Sequence, residues 1–123
     1  MGHRVLVVDD AKDVAETFAK VLDGLGYESK SITDPRDAVE AACAFKPSVV
    51  LLDIGMPHIN GYELCPLLRA ALKPAPVRIV AVTAWGSSND RAHSRAVGFD
   101  AHLVKPVAVD VIDATVKELL PKT

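Results

Sequence analysis

Short apolar runs alternate with stretches of helical spacing along this chain of 123 residues. The apolar runs cover residues 5–8, 49–52, 77–82 and 102–104, and the more polar residues 27–32 have the composition of an edge strand. Five predicted strands that alternate with five predicted helices indicate a parallel sheet covered on both faces. Right-handed crossovers leave few topologies, and a barrel would need eight such units, so the pattern favours a doubly wound α/β sheet.

The predicted helices carry start and stop signals at their ends. Gly26 follows the first helix as its terminating residue, and Asp34-Pro35 opens the second as an N-cap followed by proline. Ser87 and the acidic residue three positions later form a capping box for the fourth helix, which ends near Gly98. Apolar spacing predicts which side chains face inward. In chain order these are Val14, Phe18, Val21, Leu22 and Leu25; Ala38, Val39 and Ala42; Leu64, Leu68 and Leu72; Ala92 and Ala96; and Val111, Ile112, Thr115, Val116, Leu119 and Leu120.

Pro66 lies inside the third helix if that helix runs from about Gly61 to Leu72. In that case the proline removes an interior hydrogen bond and is expected to kink the helix. The alternative is a helix that begins later in the chain. The sequence leaves both interpretations open.

Composition argues against several classes of partner and location. The formal net charge is −2 and neither Lys nor Arg forms a run, so we expect no nucleic-acid surface and no anionic-membrane surface. Residues 1–4 lead directly into the first strand without a secretion signal, and no apolar stretch has the length of a membrane span. We therefore expect a single domain over residues 1–123 that is cytoplasmic or tethered through a segment outside this sequence.

The cysteines and three of the four histidines show no pattern that indicates a site. Cys43 and Cys65 lack paired or metal-like spacing, so we expect two reduced thiols packed as small hydrophobes. His3, His58 and His93 have no ligand spacing between them, so we expect them to be exposed or in loops.

Polar side chains follow four of the predicted strands at the point where each strand ends. Asp9 and Asp10 follow the first, Asp53 the third, Thr83 ends the fourth and Lys105 follows the fifth. In an open α/β sheet, ligands bind beyond the carboxyl ends of the strands. Carboxylates that meet there repel one another unless a cation intervenes, and oxygen ligands of this kind suit Mg²⁺.

An aspartate between a cation and an ammonium group is a reasonable nucleophile towards phosphorus. Lys105 and Thr83 can each reach an oxygen of an incoming phosphoryl group, so the site is predicted to accept phosphate on Asp53. Taken singly, Asp9 or Asp10 would more often be an N-cap of the following helix than a metal ligand. The five polar residues at matching strand ends favour the phosphate-accepting site.

Five segments together resemble the signature blocks of response-regulator receiver domains in two-component systems. They are residues 7–10 (Val-Val-Asp-Asp), 51–57 (Leu-Leu-Asp-Ile-Gly-Met-Pro), 60–64 (Asn-Gly-Tyr-Glu-Leu), 82–84 (Val-Thr-Ala) and 104–106 (Val-Lys-Pro). The resemblance covers essentially the whole chain. It implies a flavodoxin-like, three-layer (βα)₅ fold with a five-stranded parallel sheet in the order 2-1-3-4-5.

The resemblance also implies roles for the metal-site residues. Asp53 is the phosphoacceptor, and Asp10, Asp53 and the backbone carbonyl of Gly55 bind Mg²⁺ directly. Asp9 acts largely through a bound water. We expect the domain to catalyse its own phosphorylation and dephosphorylation and to have no enzymatic activity on outside substrates.

The resemblance further implies that Thr83 and Lys105 contact the phosphoryl oxygens and that the Lys105–Pro106 bond is cis. The donor is a phosphohistidine on a histidine kinase or phosphotransfer protein, or a small molecule such as acetyl phosphate. A homodimer through the fourth helix, fifth strand and fifth helix is a further expectation. The sequence of residues 53–57 and 98–106 is most similar to that of receivers of hybrid histidine kinases.

Three residues depart from the family pattern or flank the site. His102 occupies a position that is usually Tyr or Phe, where the ring moves inward when Thr83 closes on the phosphate. Gly55 and Trp85 each lie two residues beyond a site residue, on the path by which water attacks the acyl phosphate. We expect Trp85 to shield the phosphoryl group, and Gly55 cannot position a water, so phosphate loss should be slow.

Three other functions have to be weighed against the receiver. A metal-dependent phosphatase with Asp53 as nucleophile needs an acid-base carboxylate two residues later, where this chain has Gly55. An interaction module that has lost phosphorylation predicts a broken acidic site, whereas the expected polar residues are present. A flavin-binding protein needs a hydroxyl- and glycine-rich loop after the first strand, and residues 9–12 (Asp-Asp-Ala-Lys) would repel its phosphate.

Overall fold

Strands and helices alternate from end to end of the computed structural model, which describes residues 3–121. The strands are β1 (Arg4–Val8), β2 (Glu28–Ile32), β3 (Val49–Leu52), β4 (Arg78–Thr83) and β5 (Ala101–Val104). The helices are α1 (Lys12–Gly24), α2 (Ala38–Phe45), α3 (Gly61–Leu72), α4 (Ser88–Val97) and α5 (Val109–Leu119), with a 3₁₀ turn at Pro35–Asp37 before α2. The outer ends of the predicted domain, residues 1–2 and 122–123, lie outside the described residues.

All five strands are parallel and lie in the order β2-β1-β3-β4-β5, which confirms the predicted fold class. Successive strand residues point to opposite faces. Leu6, Val50 and Ile79 therefore pack with α2 and α3 on one face, while Val5 and Val49 pack with α1 and α5 on the other. The result is three layers, with β1, β3 and β4 buried and the edge strands β2 and β5 half-buried.

α3 begins at Gly61, so Pro66 lies within it and, of the two interpretations left open by the sequence, the later start is excluded. The start is fixed by a capping box, in which the Asn60 side chain accepts from the Glu63 N–H and the Glu63 carboxylate accepts from the Asn60 N–H. Pro66 is exposed on the outer side of the helix. The capping signals at Ser87 and the glycine terminator at Gly98 (φ 118°) are confirmed for α4.

Two predicted helix faces need correction. Ala92 and Ala96 are exposed, and the buried residue of α4 is Ser94, because a hydrogen bond from that side chain to the sheet sets the phase of the helix. Val111 of α5 is also exposed, since Ile112 and Val116 point to the core and Val111 lies about 100° around the helix from Ile112.

The cysteine and histidine predictions are confirmed with one exception. Both cysteines are free, but Cys43 is exposed on the surface of α2, and only Cys65 is packed in the core. The three unpatterned histidines, His3, His58 and His93, are exposed. Within residues 3–121, no helix combines the length and the apolar character needed to cross a bilayer.

Candidate functional site

The polar residues that follow the strands continue the alternation of the strands themselves. Asp9, Asp53 and Lys105 each come one residue after a strand end and fall in phase with the side chains on the α1 and α5 face. Ladder hydrogen bonds hold their backbones in line: the Asp53 N–H donates to the Val8 carbonyl at 2.9 Å, and the Lys105 N–H to the Thr83 carbonyl at 2.8 Å. The sheet therefore brings these three side chains to one edge.

Three carboxylates meet at this edge. Oxygens of Asp9, Asp10 and Asp53 lie within 4.8 Å of one another, with Asp9 and Asp53 buried and Asp10 exposed. The Asp9 side chain accepts a hydrogen bond from the Ala11 N–H at 3.0 Å. The N-cap of α1 is Ala11, with no side-chain cap, so neither Asp9 nor Asp10 is the helix cap that each resembled singly.

One ammonium group faces the carboxylates. The Nζ atom of Lys105 lies 2.7 Å from Oδ2 of Asp9 and 3.8 Å from Oδ2 of Asp53. The Lys105–Pro106 peptide bond is cis. Thr83 is buried at the end of β4, and its hydroxyl oxygen accepts a hydrogen bond from the Trp85 N–H at 3.2 Å.

Burial raises the pKa of Asp53 above its usual value, and the neighbouring Asp9 charge raises it further. Lys105 and the Gly55 N–H, which donates to Asp53 Oδ1 at 3.3 Å, act in the opposite direction without cancelling the rise. One ammonium thus does not neutralise the cluster. A hard divalent cation with oxygen ligands fits this excess of negative charge, because the ligands are carboxylates and Asp10 is open to solvent.

Trp85 lies beside the site, over Gly55. A methyl group added at position 55 would lie 3.3 Å from Cζ2 and Cη2 of the indole, so the glycine leaves the room that the ring uses. Trp85 itself is 47% exposed, with one side towards solvent. The sequence predicts that both residues flank the path by which water attacks the acyl phosphate. The structure shows that the indole of Trp85 lies beside Gly55.

His102 points to the opposite face of the sheet, towards α4. Its Nδ1 atom is 2.7 Å from the hydroxyl of Ser94, and its Nε2 atom is 2.7 Å from the backbone carbonyl of Trp85. Sequence reasoning missed Ser94. No periodicity within α4 distinguishes Ser94, because its partner His102 lies on β5.

The similarity of this chain to known proteins agrees with the geometry. The family model for the response regulator receiver domain matches residues 5–117. The chain belongs to the response-regulator receiver family. Receivers of this family act in two-component signalling, so the predicted identity of the domain is confirmed, while the roles of single residues stay predictions.

Two similar sequences are response regulators that are longer than this chain. Response regulator MprA of Mycolicibacterium vanbaalenii is 34% identical over 123 residues, which are 100% of this chain and 52% of that protein. MprA of Mycobacterium ulcerans is 33% identical, with the same coverage. This chain thus spans about half the length of the curated relatives that it matches. The similarity to hybrid-kinase receivers stays a prediction.

Solved receiver structures have the same fold. The chemotaxis protein CheY4 of Vibrio cholerae superposes with a TM-score of 0.88 at 27% identity, over 98% of this chain and 100% of that one. The BeF₃-activated DrrB receiver domain superposes with a TM-score of 0.85 at 25% identity, over 97% of each chain.

Proposed function

We propose that this receiver domain accepts a phosphoryl group on Asp53 from a phosphohistidine of a histidine kinase or histidine phosphotransfer protein. The observation that supports this most is the convergence of unlike charges at one sheet edge. Carboxylate oxygens of Asp9, Asp10 and Asp53 lie within 4.8 Å of one another, and Nζ of Lys105 lies 3.8 Å from Asp53. Membership of the response-regulator family supports the same reaction class.

In the proposed reaction an oxygen of Asp53 attacks phosphorus while the P–N bond of the donor breaks. The donor imidazole leaves with the electron pair and regains a proton, and an acyl phosphate forms on Asp53. Lys105 can shift from Asp9 towards the transferring oxygens and offset their charge. The Thr83 hydroxyl accepts from the Trp85 N–H, so its own proton remains available to a phosphoryl oxygen.

Magnesium is the cation that we propose for the acidic cluster. Asp10, Asp53 and the carbonyl of Gly55 would hold it, with Asp9 acting through a water. When bound, the ion would neutralise the cluster and stabilise negative charge on the phosphoryl oxygens. The charges at the site support this assignment, because three carboxylates face one ammonium group, and burial followed by the Asp9 charge raises the pKa of Asp53.

A slow loss of phosphate is part of the same proposal. The Trp85 ring lies over Gly55, so it covers one side of the route to Asp53. Gly55 has no side chain with which to orient an attacking water. Both features favour a long-lived acyl phosphate, because hydrolysis needs a water in line with the bond that breaks.

We also propose a cytoplasmic location, where such donors act. Phosphorylation is proposed to switch partner binding at the face formed by α4, β5 and α5, which a second copy of the chain would use in a homodimer. A phosphorelay within a hybrid kinase and a separate response regulator are both compatible with this proposal. The domain is proposed to turn over only its own phosphate.

Intact mass spectrometry after incubation with Mg²⁺ and acetyl phosphate tests the acceptor. We expect one phosphate adduct on the wild type and none on Asp53→Asn. Asp37→Asn, an equivalent change at an exposed aspartate before α2, is the matched control and should still be modified. Omission of Mg²⁺ should abolish the adduct.

A second experiment tests which class of phosphate donor the domain uses. If acetyl phosphate gives no adduct, the experiment is repeated with a phosphorylated histidine phosphotransfer protein. An adduct that appears only then supports a strict protein donor. No adduct from either donor, or an adduct that persists in Asp53→Asn, would contradict the proposal and favour an unphosphorylated interaction module.

A further inference from the structure

We infer that His102 is a positioning residue that fastens the loop carrying Trp85 to helix α4 and so determines how long phosphate remains on Asp53. This inference rests on the proposed function for its effect on phosphate. Its structural part does not, because the contacts of His102 are present in the unphosphorylated protein.

The loop between β4 and α4 is held at several points. The Trp85 N–H donates to the Thr83 hydroxyl at 3.2 Å, and the Trp85 carbonyl accepts from Nε2 of His102 at 2.7 Å. Gly86 packs so closely on β5 that a methyl group there would lie 2.7 Å from Cγ2 of Val104. Arg91 of α4 donates to the Gly86 carbonyl at 3.3 Å, and the contact from His102 is the one that links Trp85 itself to α4, through Ser94.

The chemistry of the two ring nitrogens gives the contact a direction. A backbone carbonyl can only accept, so Nε2 carries the proton that bonds to Trp85. In the neutral ring Nδ1 is then an acceptor, and the Ser94 hydroxyl donates to it across 2.7 Å. Ser94 is almost fully buried, at 1% exposure. We call the chain Ser94–His102–Trp85 the histidine clasp.

The clasp is linked to the phosphate site through the indole. Trp85 is anchored at its backbone by the clasp, while its ring lies against Gly55, two residues from Asp53. Release of the carbonyl leaves the ring, already 47% exposed, free to swing away from Gly55. Water then gains access to the acyl phosphate, although His102 touches none of the reacting atoms.

The surroundings of the His102 ring allow a substitution that keeps the side-chain volume and removes its hydrogen bonds. His102 lines a cleft of about 150 Å³ between α4 and β5, so a phenyl ring of similar size fits there. His102→Phe keeps the volume and removes both hydrogen bonds. His102→Gln places an amide near the Nε2 position and can restore the bond to Trp85, whereas His102→Asn reaches only as far as Nδ1. Ser94→Ala removes the helix half of the clasp.

The test has two readouts on the whole chain. The first is acrylamide quenching of the fluorescence of Trp85, the only tryptophan, in unphosphorylated protein. The second is the rate at which the phosphate adduct formed with acetyl phosphate and Mg²⁺ is lost, followed by intact mass. His93→Phe, at an exposed histidine of α4, is the matched control. Circular dichroism melting verifies that each variant is folded.

We expect His102→Phe and His102→Asn to raise quenching and to lose phosphate about threefold to tenfold faster, the range that one ordinary hydrogen bond allows. Ser94→Ala should change both readouts in the same direction. His102→Gln, which keeps the bond to Trp85 and loses the one from Ser94, should match Ser94→Ala and lie between the wild type and His102→Phe in both readouts. His93→Phe should stay close to the wild type. A general packing defect would not be rescued by Gln.

Two results would overturn the inference. One is a folded His102→Phe with wild-type quenching and wild-type phosphate lifetime. The other is a His102→Gln indistinguishable from His102→Phe in both readouts, since the bond to Trp85 would then not be responsible. If the wild type takes up no phosphate, the proposed function fails, but the quenching comparison still tests the clasp.

Discussion

At the scale of single residues, Asp53 experiences two effects that act in the same direction. Burial and the Asp9 carboxylate both raise its pKa, and Lys105 only partly offsets them because it lies closer to Asp9 than to Asp53. The ionised side chain is therefore less stable in the folded protein than in the unfolded chain. The proposed phosphoacceptor therefore destabilises the fold when it is ionised, as is common for groups in functional sites.

The upward shift in the pKa of Asp53 predicts the stability of Asp53→Asn in metal-free buffer. A raised folded-state pKa means that stability falls as pH rises from the unfolded value through the folded one, so the wild type carries the full cost at neutral pH. We expect Asp53→Asn to melt at a higher temperature than the wild type at pH 7, where each kcal/mol corresponds to roughly 3–5 °C. The advantage should vanish towards pH 4.

Thermal melts in EDTA between pH 4 and pH 7.5 measure this effect. Glu16→Gln, which removes an exposed carboxylate from α1, is the control and should leave the melting temperature nearly unchanged. A melting temperature of Asp53→Asn at or below that of the wild type at pH 7 would contradict the expected charge repulsion.

Trp85 offers a second prediction at the residue scale. Trp85→Ala removes the ring that lies over Gly55, so water should reach the acyl phosphate more easily and the phosphate lifetime should fall by about an order of magnitude. Intact mass over time measures the decay. Trp85→Phe keeps an aromatic ring over Gly55, so its phosphate lifetime should lie between those of the wild type and Trp85→Ala. An unchanged lifetime in Trp85→Ala would exclude the shielding role.

At the scale of elements, the start of α3 is packed directly under the loop that carries Asp53. A methyl group on Gly61 would lie 2.6 Å from the Asp53 carbonyl oxygen and 2.7 Å from Cα of Ile54, both of which are backbone atoms. Neither can yield without a shift of the loop. The Gly61 N–H also donates to the Ile54 carbonyl at 2.8 Å, so helix and loop move together.

We therefore expect Gly61→Ala to destabilise the protein by about 1–3 kcal/mol and to slow phosphorylation of Asp53. Gly24→Ala is the matched control, because a methyl group at this helical position meets nothing within 4 Å. That change should stabilise the fold by about 0.5–1 kcal/mol. Chemical denaturation gives both values, and equal effects of the two changes would contradict the close approach at Gly61.

At the scale of the whole molecule, the parallel sheet gathers like charges that are distant in the sequence. Asp9 and Asp53 follow neighbouring strands β1 and β3, and the register of those strands brings their carboxylates together. A cation that binds the folded cluster and not the unfolded chain must stabilise the fold.

We expect the melting temperature to rise with Mg²⁺ concentration. The free energy of unfolding should increase by about 1.4–2.7 kcal/mol when the free ion exceeds its dissociation constant 10- to 100-fold. Asp10→Asn should abolish the rise, and Glu16→Gln should retain it. Scanning calorimetry at matched ionic strength measures the effect. A rise that Asp10→Asn retains, or that NaCl reproduces, would contradict a specific site.

Much of this architecture follows from local patterns. Apolar runs of three to six residues give four of the five strands, and their alternating side chains require two cores. The polar residue after each strand must then emerge at the carboxyl edge, which is why Asp53 and Lys105 were predicted at the site. Capping chemistry likewise predicted both ends of α4 and the opening of the α2 region, because caps depend on neighbouring residues.

What only the tertiary structure decided depends on residues far apart in the chain. Ser94 faces inward and Ala92 outward because of a hydrogen bond to His102 on β5, which no periodicity within α4 reveals. The indole of Trp85 lies over Gly55 because two separate loops meet above the sheet. Local sequence thus determined the elements and the edge that carries the candidate site, whereas side-chain partners across the sheet were decided only by the packing that brings distant residues into contact.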